Sequence, residues 1–281
     1  AALLSANTID KGGVEVMPNI KYKSTMKKVA TDANVIKNAS CDFDATATVT
    51  LTERLLQPEE FQVNLQFCKQ DFQSDWEAVQ MGISAFDNLP PKFSDFIIGH
   101  VAGLVAEKTE KNIWEGVTAN AGEFDGLVTL ALADTDVIDA PNHAAVTAAN
   151  VVEKLGEIVD SIPAALYGKE DVHIYISQNI ARAYVRALGG FAATNSGVNA
   201  QSHMWYGDGA LSFDGVKLFV ANGLNDDTAM AAQRSNLYFG TGLLNDMNEV
   251  KVLDMADLDG SQNVRTITNG LRFNKRKKSS L

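Results

Sequence analysis

Residues 90–127 read PPKFSDFIIGHVAGLVAEKTEKNIWEGVTANAGEFDGL, and the architecture turns on this stretch. Pro90-Pro91 end whatever precedes them, because proline lacks a donor N–H and holds φ near −65°. From Phe93 to Trp114, the residues Phe93, Phe96, Ile97, Val101, Leu104 and Val105 recur at helical spacing, which predicts one long amphipathic helix. Glu107 and Lys111 form an i,i+4 pair in the favourable order, and Gly116 supplies the stop. At ~1.5 Å per residue the helix is roughly 30 Å long or more, enough to span a domain. His100 lies on or beside the apolar stripe, where a packed histidine is expected rather than a catalytic one.

Upstream, residues 1–40 read as an arm. They hold Gly12-Gly13, Pro18 and the lysines Lys11, Lys21, Lys23, Lys27, Lys28 and Lys37, with few large apolar residues in any regular period. Such a segment needs a partner surface to lie on. Two stretches of strict alternation follow: Phe43, Ala45, Ala47, Val49 and Leu51, then Phe61, Val63, Leu65 and Phe67. Period two predicts two strands. The link Thr52–Glu60 contains Pro58 and the charges Glu53, Arg54, Glu59 and Glu60, so it reads as the solvated tip of a long antiparallel hairpin. A lone hairpin is marginally stable in water, so this one is expected to rest on another surface. Trp76, Val79 and Gln80 hint at a short helix before the prolines.

Downstream, Val151, Val152, Leu155, Ile158 and Val159 predict a helix near 148–161, closed by Pro163. Val172, Ile174 and Ile176 alternate as a strand, and Ile180 to Leu188 predict a helix stopped by Gly189-Gly190. Residues 189–212 are rich in Gly, Asn, Ser and Ala and read as a loop. Strands are expected at 216–221, 236–239, 250–253 and 264–267. Helices and strands mix without regular alternation, so the class is α+β.

Composition narrows the chemistry. The 281 residues suffice for one large domain or two modest ones. The longest uncharged apolar run, Phe96–Ala106, is 11 residues, against the ~20 of a membrane span, and no signal peptide is visible. Cys41 and Cys68 are too few for a disulfide framework, which fits a reducing compartment. The net charge of −11 divides unevenly: Arg265, Arg272, Lys275, Arg276, Lys277 and Lys278 place +6 on residues 265–281, leaving −17 on the rest. An acidic body argues against broad nucleic-acid wrapping. The basic run reads first as a solvated tail and second as a phosphate contact.

Sequence strings for known chemistry are missing: no GxxxxGK[ST], no GxSxG and no HExxH. His100, His143, His173 and His203 share no spacing. Asp254, Asp257 and Asp259 before Gly260 resemble part of a calcium loop, but the required bidentate glutamate does not follow. Asp226-Asp227 reads as a polar turn. No catalytic residue, metal site or cofactor is expected.

The order of parts — arm, hairpin, long helix, separate α/β unit, returning strands — resembles the major capsid protein of tailed bacteriophages, with its Hong Kong 97-type fold. Phe93 to Gly116, ending Asn112-Ile113-Trp114-Glu115-Gly116, resembles that family's spine helix. Phe124-Asp125-Gly126-Leu127 resembles the short segment after it. Asn236-Leu237-Tyr238-Phe239-Gly240-Thr241-Gly242, followed by Asn245-Asp246, resembles the strand and turn leading back from the axial domain.

The resemblance implies an N-terminal arm over 1–40 and an extended loop over 41–70 that reaches a neighbouring subunit. It implies a peripheral domain over 71–135 and 236–281, and an axial domain over 140–235. It implies a non-enzymatic protein without cofactors or membrane contact, assembling as pentamers and hexamers of itself into an icosahedral shell around double-stranded DNA. The place would be the virion capsid, assembled in the host cytoplasm, with portal and decoration proteins as further partners. Arg54, Glu53, Glu59, Glu60, Phe61, Val63 and Leu65 would make intersubunit contact, and Lys275, Arg276, Lys277 and Lys278 would touch DNA or a neighbour. The start at Ala1 would follow loss of a scaffolding segment on maturation. Some members weld a loop lysine to a neighbour's asparagine; with no lysine between Lys37 and Lys69, this loop would hold by hydrogen bonds, charge pairs and apolar burial. An encapsulin-type nanocompartment shell is the alternative within the fold, and a soluble enzyme with an unrecognised site the alternative outside it.

Overall fold

The computed structural model describes residues 7–31, 36, 38, 47–68, 91–140, 144–188, 211–242, 250–259, 261 and 263–277. The chain opens with α1 (Asn7–Asp10), β1 (Glu15–Met17), β2 (Ser24–Thr31) and β3 (Val49–Cys68). Next come α2 (Pro91–Glu115), α3 (Leu127–Leu132), α4 (Val151–Asp160), β4 (Val172–Ile176) and α5 (Gln178–Ala187). It continues with β5 (Ser212–Phe213), β6 (Val216–Val220), β7 (Ala229–Gln233) and β8 (Tyr238–Gly240), and ends with β9 (Val250–Asp254), α6 (Ala256–Asp259) and β10 (Asn263–Lys277). No described helix is long and apolar enough to cross a membrane. The short helix expected near Trp76, residues 43–46 of the first alternation, most of the 189–212 loop, His143, His203, Asn245-Asp246 and Lys278 fall outside the described residues.

The long helix is α2, and its register differs from the expected stripe. Ile97, Val101 and Val105 are buried, while Phe96 and Leu104 lie on the outward side. His100 is exposed, not packed; its ring stacks on Phe96 with centroids 6.3 Å apart. The C-terminal half is enclosed more widely, burying Ala102, Ala106, Thr109, Glu110, Asn112, Ile113 and Trp114. The helix stops where the chain turns back across its own end: the Gly126 N–H donates to the Gly116 carbonyl at 2.8 Å. A Cβ at Gly126 would stand 2.4 Å from the Trp114 carbonyl, so only glycine allows that crossing.

The expected hairpin of 43–51 with 61–67 is corrected. Where the two stretches are described, they are successive parts of the single strand β3, and Thr52–Glu60 is strand rather than tip. The link has no glycine or asparagine to take a positive φ, so nothing reverses the chain there. Among the described residues β2 pairs with β3 no further than Leu56, so Pro58 lies beyond that ladder, where a proline is tolerated. The sheet order is β2-β3-β10-β9. β10 runs antiparallel to β3 from Asn263↔Cys68 to Lys277↔Leu55, with one extra residue between Thr268 and Leu271. Through Lys277 the basic run is thus the last part of a 15-residue strand and not a tail.

The second sheet, β5-β6-β4-β7, is mixed, with β4 parallel to β6 and antiparallel to β7. β4 is central, and its alternation does not separate core from water. Ile174 and Ile176 enter one core with Val151, Leu155, Ile180 and Leu218. Tyr175 points into another core, with Val101, Trp114, Phe124, Leu237 and Phe239, its ring 4.9 Å from Trp114. The arm also finds a surface within its own chain: Thr8, Val14 and Ile20 are buried, and β1 pairs parallel with β8.

Candidate assembly surface

β2 and the first part of β3 form a two-stranded antiparallel ribbon, running from Ser24↔Leu56 to Thr31↔Val49. Directly opposed residues share a face, and successive pairs alternate faces. Val29↔Leu51, Thr31↔Val49 and Lys27↔Glu53 therefore lie on one side; Ala30↔Thr50, Lys28↔Thr52 and Met26↔Arg54 lie on the other. The first side exposes Val29 by 63%, Val49 by 61% and Leu51 by 61%, an apolar row open to solvent.

The ribbon is anchored at its root. Leu56 is buried against Ile20 and Gly240, so closely that a Cβ at Gly240 would stand 2.7 Å from Leu56 Cδ2. Arg54 pairs with Asp134 in the loop after α3, and Lys27 with Glu53 at 3.8 Å.

These placements re-sort the predicted contact residues. Glu53 and Arg54 are exposed and ion-paired within the chain; Glu59 is half-buried and Glu60 exposed. Phe61 and Val63 are half-buried and pack against the chain's own core, with Phe61 6.4 Å from Phe124. Leu65 remains exposed. In the ladder, Lys275, Arg276 and Lys277 stand opposite Gln57, Leu56 and Leu55, and Arg272 stands opposite Glu60. The ribbon also carries lysines, which the stretch between Lys37 and Lys69 lacks, since Lys27 and Lys28 lie on β2. Sequence reasoning missed β2 altogether. Its available signal was Thr25, Val29 and Thr31, β-branched residues of one parity.

A second exposed apolar surface runs along α2, where Phe96, His100 and Leu104 follow at i, i+4 and i+8 beside Gly99 and Gly103. Among the described residues nothing lies within 4 Å of a Cβ built at either glycine.

Sites for small-molecule chemistry do not emerge among the described residues. They include no group of three or more His, Cys, Asp or Glu placed to hold a metal. Asp227, at φ +61°, accepts from the Val146 N–H and from Asn179 Nδ2, the polar turn its sequence predicts. Asp254 accepts the Ala256 N–H at the start of α6. A cavity lined by Val14, Ile113, Phe124 and Phe239 measures about 20 Å³, room for a water and far below a ligand pocket.

No family model and no curated protein sequence matches the chain. Solved structures do. A chain from Mycobacterium phage Adephagia superposes with TM-score 0.59 at 16% identity, covering 98% of this chain and 85% of that one. A chain described as the capsid of a native GTA particle gives TM-score 0.58 at 10% identity, covering 100% and 87%. One from the capsid of an empty GTA particle gives 0.55 at 13%, covering 97% and 86%. The architecture is thus the α+β, Hong Kong 97-type fold of phage capsid chains.

Proposed function

We propose that the chain is a major capsid protein that assembles with copies of itself into an icosahedral shell around double-stranded DNA, with a structural and not a catalytic role. The observation that carries this reading is the ribbon: a projecting pair of strands, rooted at Leu56, whose row Val29, Val49 and Leu51 is left in water. Exposed apolar rows on a long two-stranded ribbon are costly for a lone subunit and useful where a neighbour covers them. The capsid chains sharing the fold support the same reading. In this reading the extended loop is the β2–β3 ribbon, residues 71–135 and 236–281 form the peripheral domain, and residues 140–235 form the axial domain. Glu60, Leu65 and the exposed ribbon row meet the neighbour. Lys275, Arg276, Lys277 and Lys278, on an otherwise acidic chain, contact either packaged DNA or an acidic patch of the next copy.

The test is electron microscopy of particles from cells expressing the full chain, with nuclease protection of their contents. Closed shells protecting double-stranded DNA are expected. Monomer alone at every salt and pH would sink the assembly reading. Shells that hold protein cargo and no DNA would replace the capsid by a nanocompartment.

A further inference from the structure

One short N-terminal segment joins three separate parts of the interior. Asn7 Nδ2 donates to the Val220 carbonyl at 2.9 Å. Thr8 donates its N–H to Glu110 Oε2 at 2.9 Å and its hydroxyl to Oε1 at 2.5 Å, and that hydroxyl accepts from Trp114 Nε1 at 2.8 Å. The Tyr175 hydroxyl donates to the Gly13 carbonyl at 2.5 Å, and the Glu15 N–H to the Leu237 carbonyl at 2.8 Å. Val220 and Tyr175 belong to the β5-β6-β4-β7 sheet, Glu110 and Trp114 to α2, and Leu237 leads into β8.

Glu110 is the unusual member. Its residue is only 5% exposed, and both donors to its carboxylate among the described residues come from Thr8. A buried carboxylate adds little stability over an apolar residue of the same size, but it is demanding about what lies beside it. Only a segment offering an N–H and a hydroxyl together satisfies it. The segment's other holdings are a four-residue helix, a three-residue strand, Val14 buried in the core, and Ile9 and Val16 half-buried against it. Elements of that size lie at the low end of local stability.

We propose that residues 7–17 are a strap that docks and undocks as a unit, and that its docking on Glu110 fixes the β5-β6-β4-β7 sheet against α2. The junction it holds is marked by the Asn225 N–H, which donates to Glu115 Oε1 at 2.6 Å. In an assembling subunit, such a strap lets one sequence adopt more than one shape; that consequence rests on the capsid reading, while the strap itself does not.

Amide hydrogen exchange on the unassembled full chain tests it, with Thr8→Val as the main variant and Glu110→Gln, which keeps one acceptor, as the milder one. The Gly13, Glu15 and Asn225 amides should exchange at least tenfold faster in Thr8→Val and by a smaller factor in Glu110→Gln. The Leu218 amide, bonded to Leu211 within the second sheet, should hold its rate. Leu218 rising in step would overturn the proposal, since the segment would then be part of one cooperative core. Unchanged Gly13 and Glu15 would overturn it by removing Thr8 as the holding contact. An unchanged Asn225 amide would show that the strap does not fix the junction.

Discussion

The two ends of β3 carry the same alternating pattern and meet opposite fates. From Val49 to Arg54 the strand is exposed on both faces, with β2 as its ladder partner among the described residues and Arg54 paired to Asp134. From Leu56 onward the strand is backed by the subunit: Leu56 is buried beside Ile20 and Gly240, and Phe61, Val63 and Phe67 are half-buried against the core around α2. One continuous backbone ladder thus serves as a free ribbon at one end and a core wall at the other. The lesson is that period two reports a pleated strand and says nothing about what covers either face.

The largest expected effect is at the core end. Val63→Pro removes a donor and fixes φ beside Thr268, costing about 3 kcal/mol or more before any lost packing. The unassembled subunit should lose its cooperative denaturant transition. A variant that folds normally and merely fails to assemble would join 57–68 to the ribbon and erase the contrast. Leu56→Ala should cost about 2–5 kcal/mol by opening a cavity at the ribbon's root, read as a lower denaturant midpoint. In the ribbon proper, Leu51→Asp should shift subunit stability by no more than about 0.5 kcal/mol while abolishing particles on gradients. Lost stability there would show that the apolar row is covered within the subunit.

Smaller effects sharpen the boundary. Arg54→Ala breaks the pair with Asp134 and should cost about 0–1 kcal/mol, since the arginine is half exposed. Behind the core end, the Lys108 ammonium and the Asn120 amide hold Glu123 well below its ordinary value, at about 2. A depressed carboxylate contributes stability that is fully present above its unfolded value near 4.5 and is lost as pH falls toward 2. Glu123→Gln should lower stability at neutral pH and flatten that part of the pH–stability curve, leaving stability near pH 2 nearly unchanged.

Much of the frame is legible in the residue pattern. The spacing from Phe93 to Trp114, the stop at Gly116, the helices over 151–160 and 178–187, and the strands at 172–176 and 216–220 stand where the periods put them. β7 escaped because Ala229-Met230-Ala231-Ala232 has little strand propensity, and it forms because β4 offers a ladder. The surface is less legible. Phe61 and Val63 moved inward, Val29 entered the ribbon from a segment read only as an arm, and Lys275 to Lys277 moved from a tail into β10.

By itself the sequence determined where the chain is helical, where it is extended, where it must stop, and how its charge divides, because those follow from neighbours a few residues apart. Only the tertiary structure decided which side of each element is covered. Ile97 is inside and Phe96 outside, and Tyr175 faces a second core instead of water. Leu56 is buried because Ile20 and Gly240 close over it from distant parts of the chain. Those outcomes depend on contacts between residues far apart in sequence, and no local period encodes them.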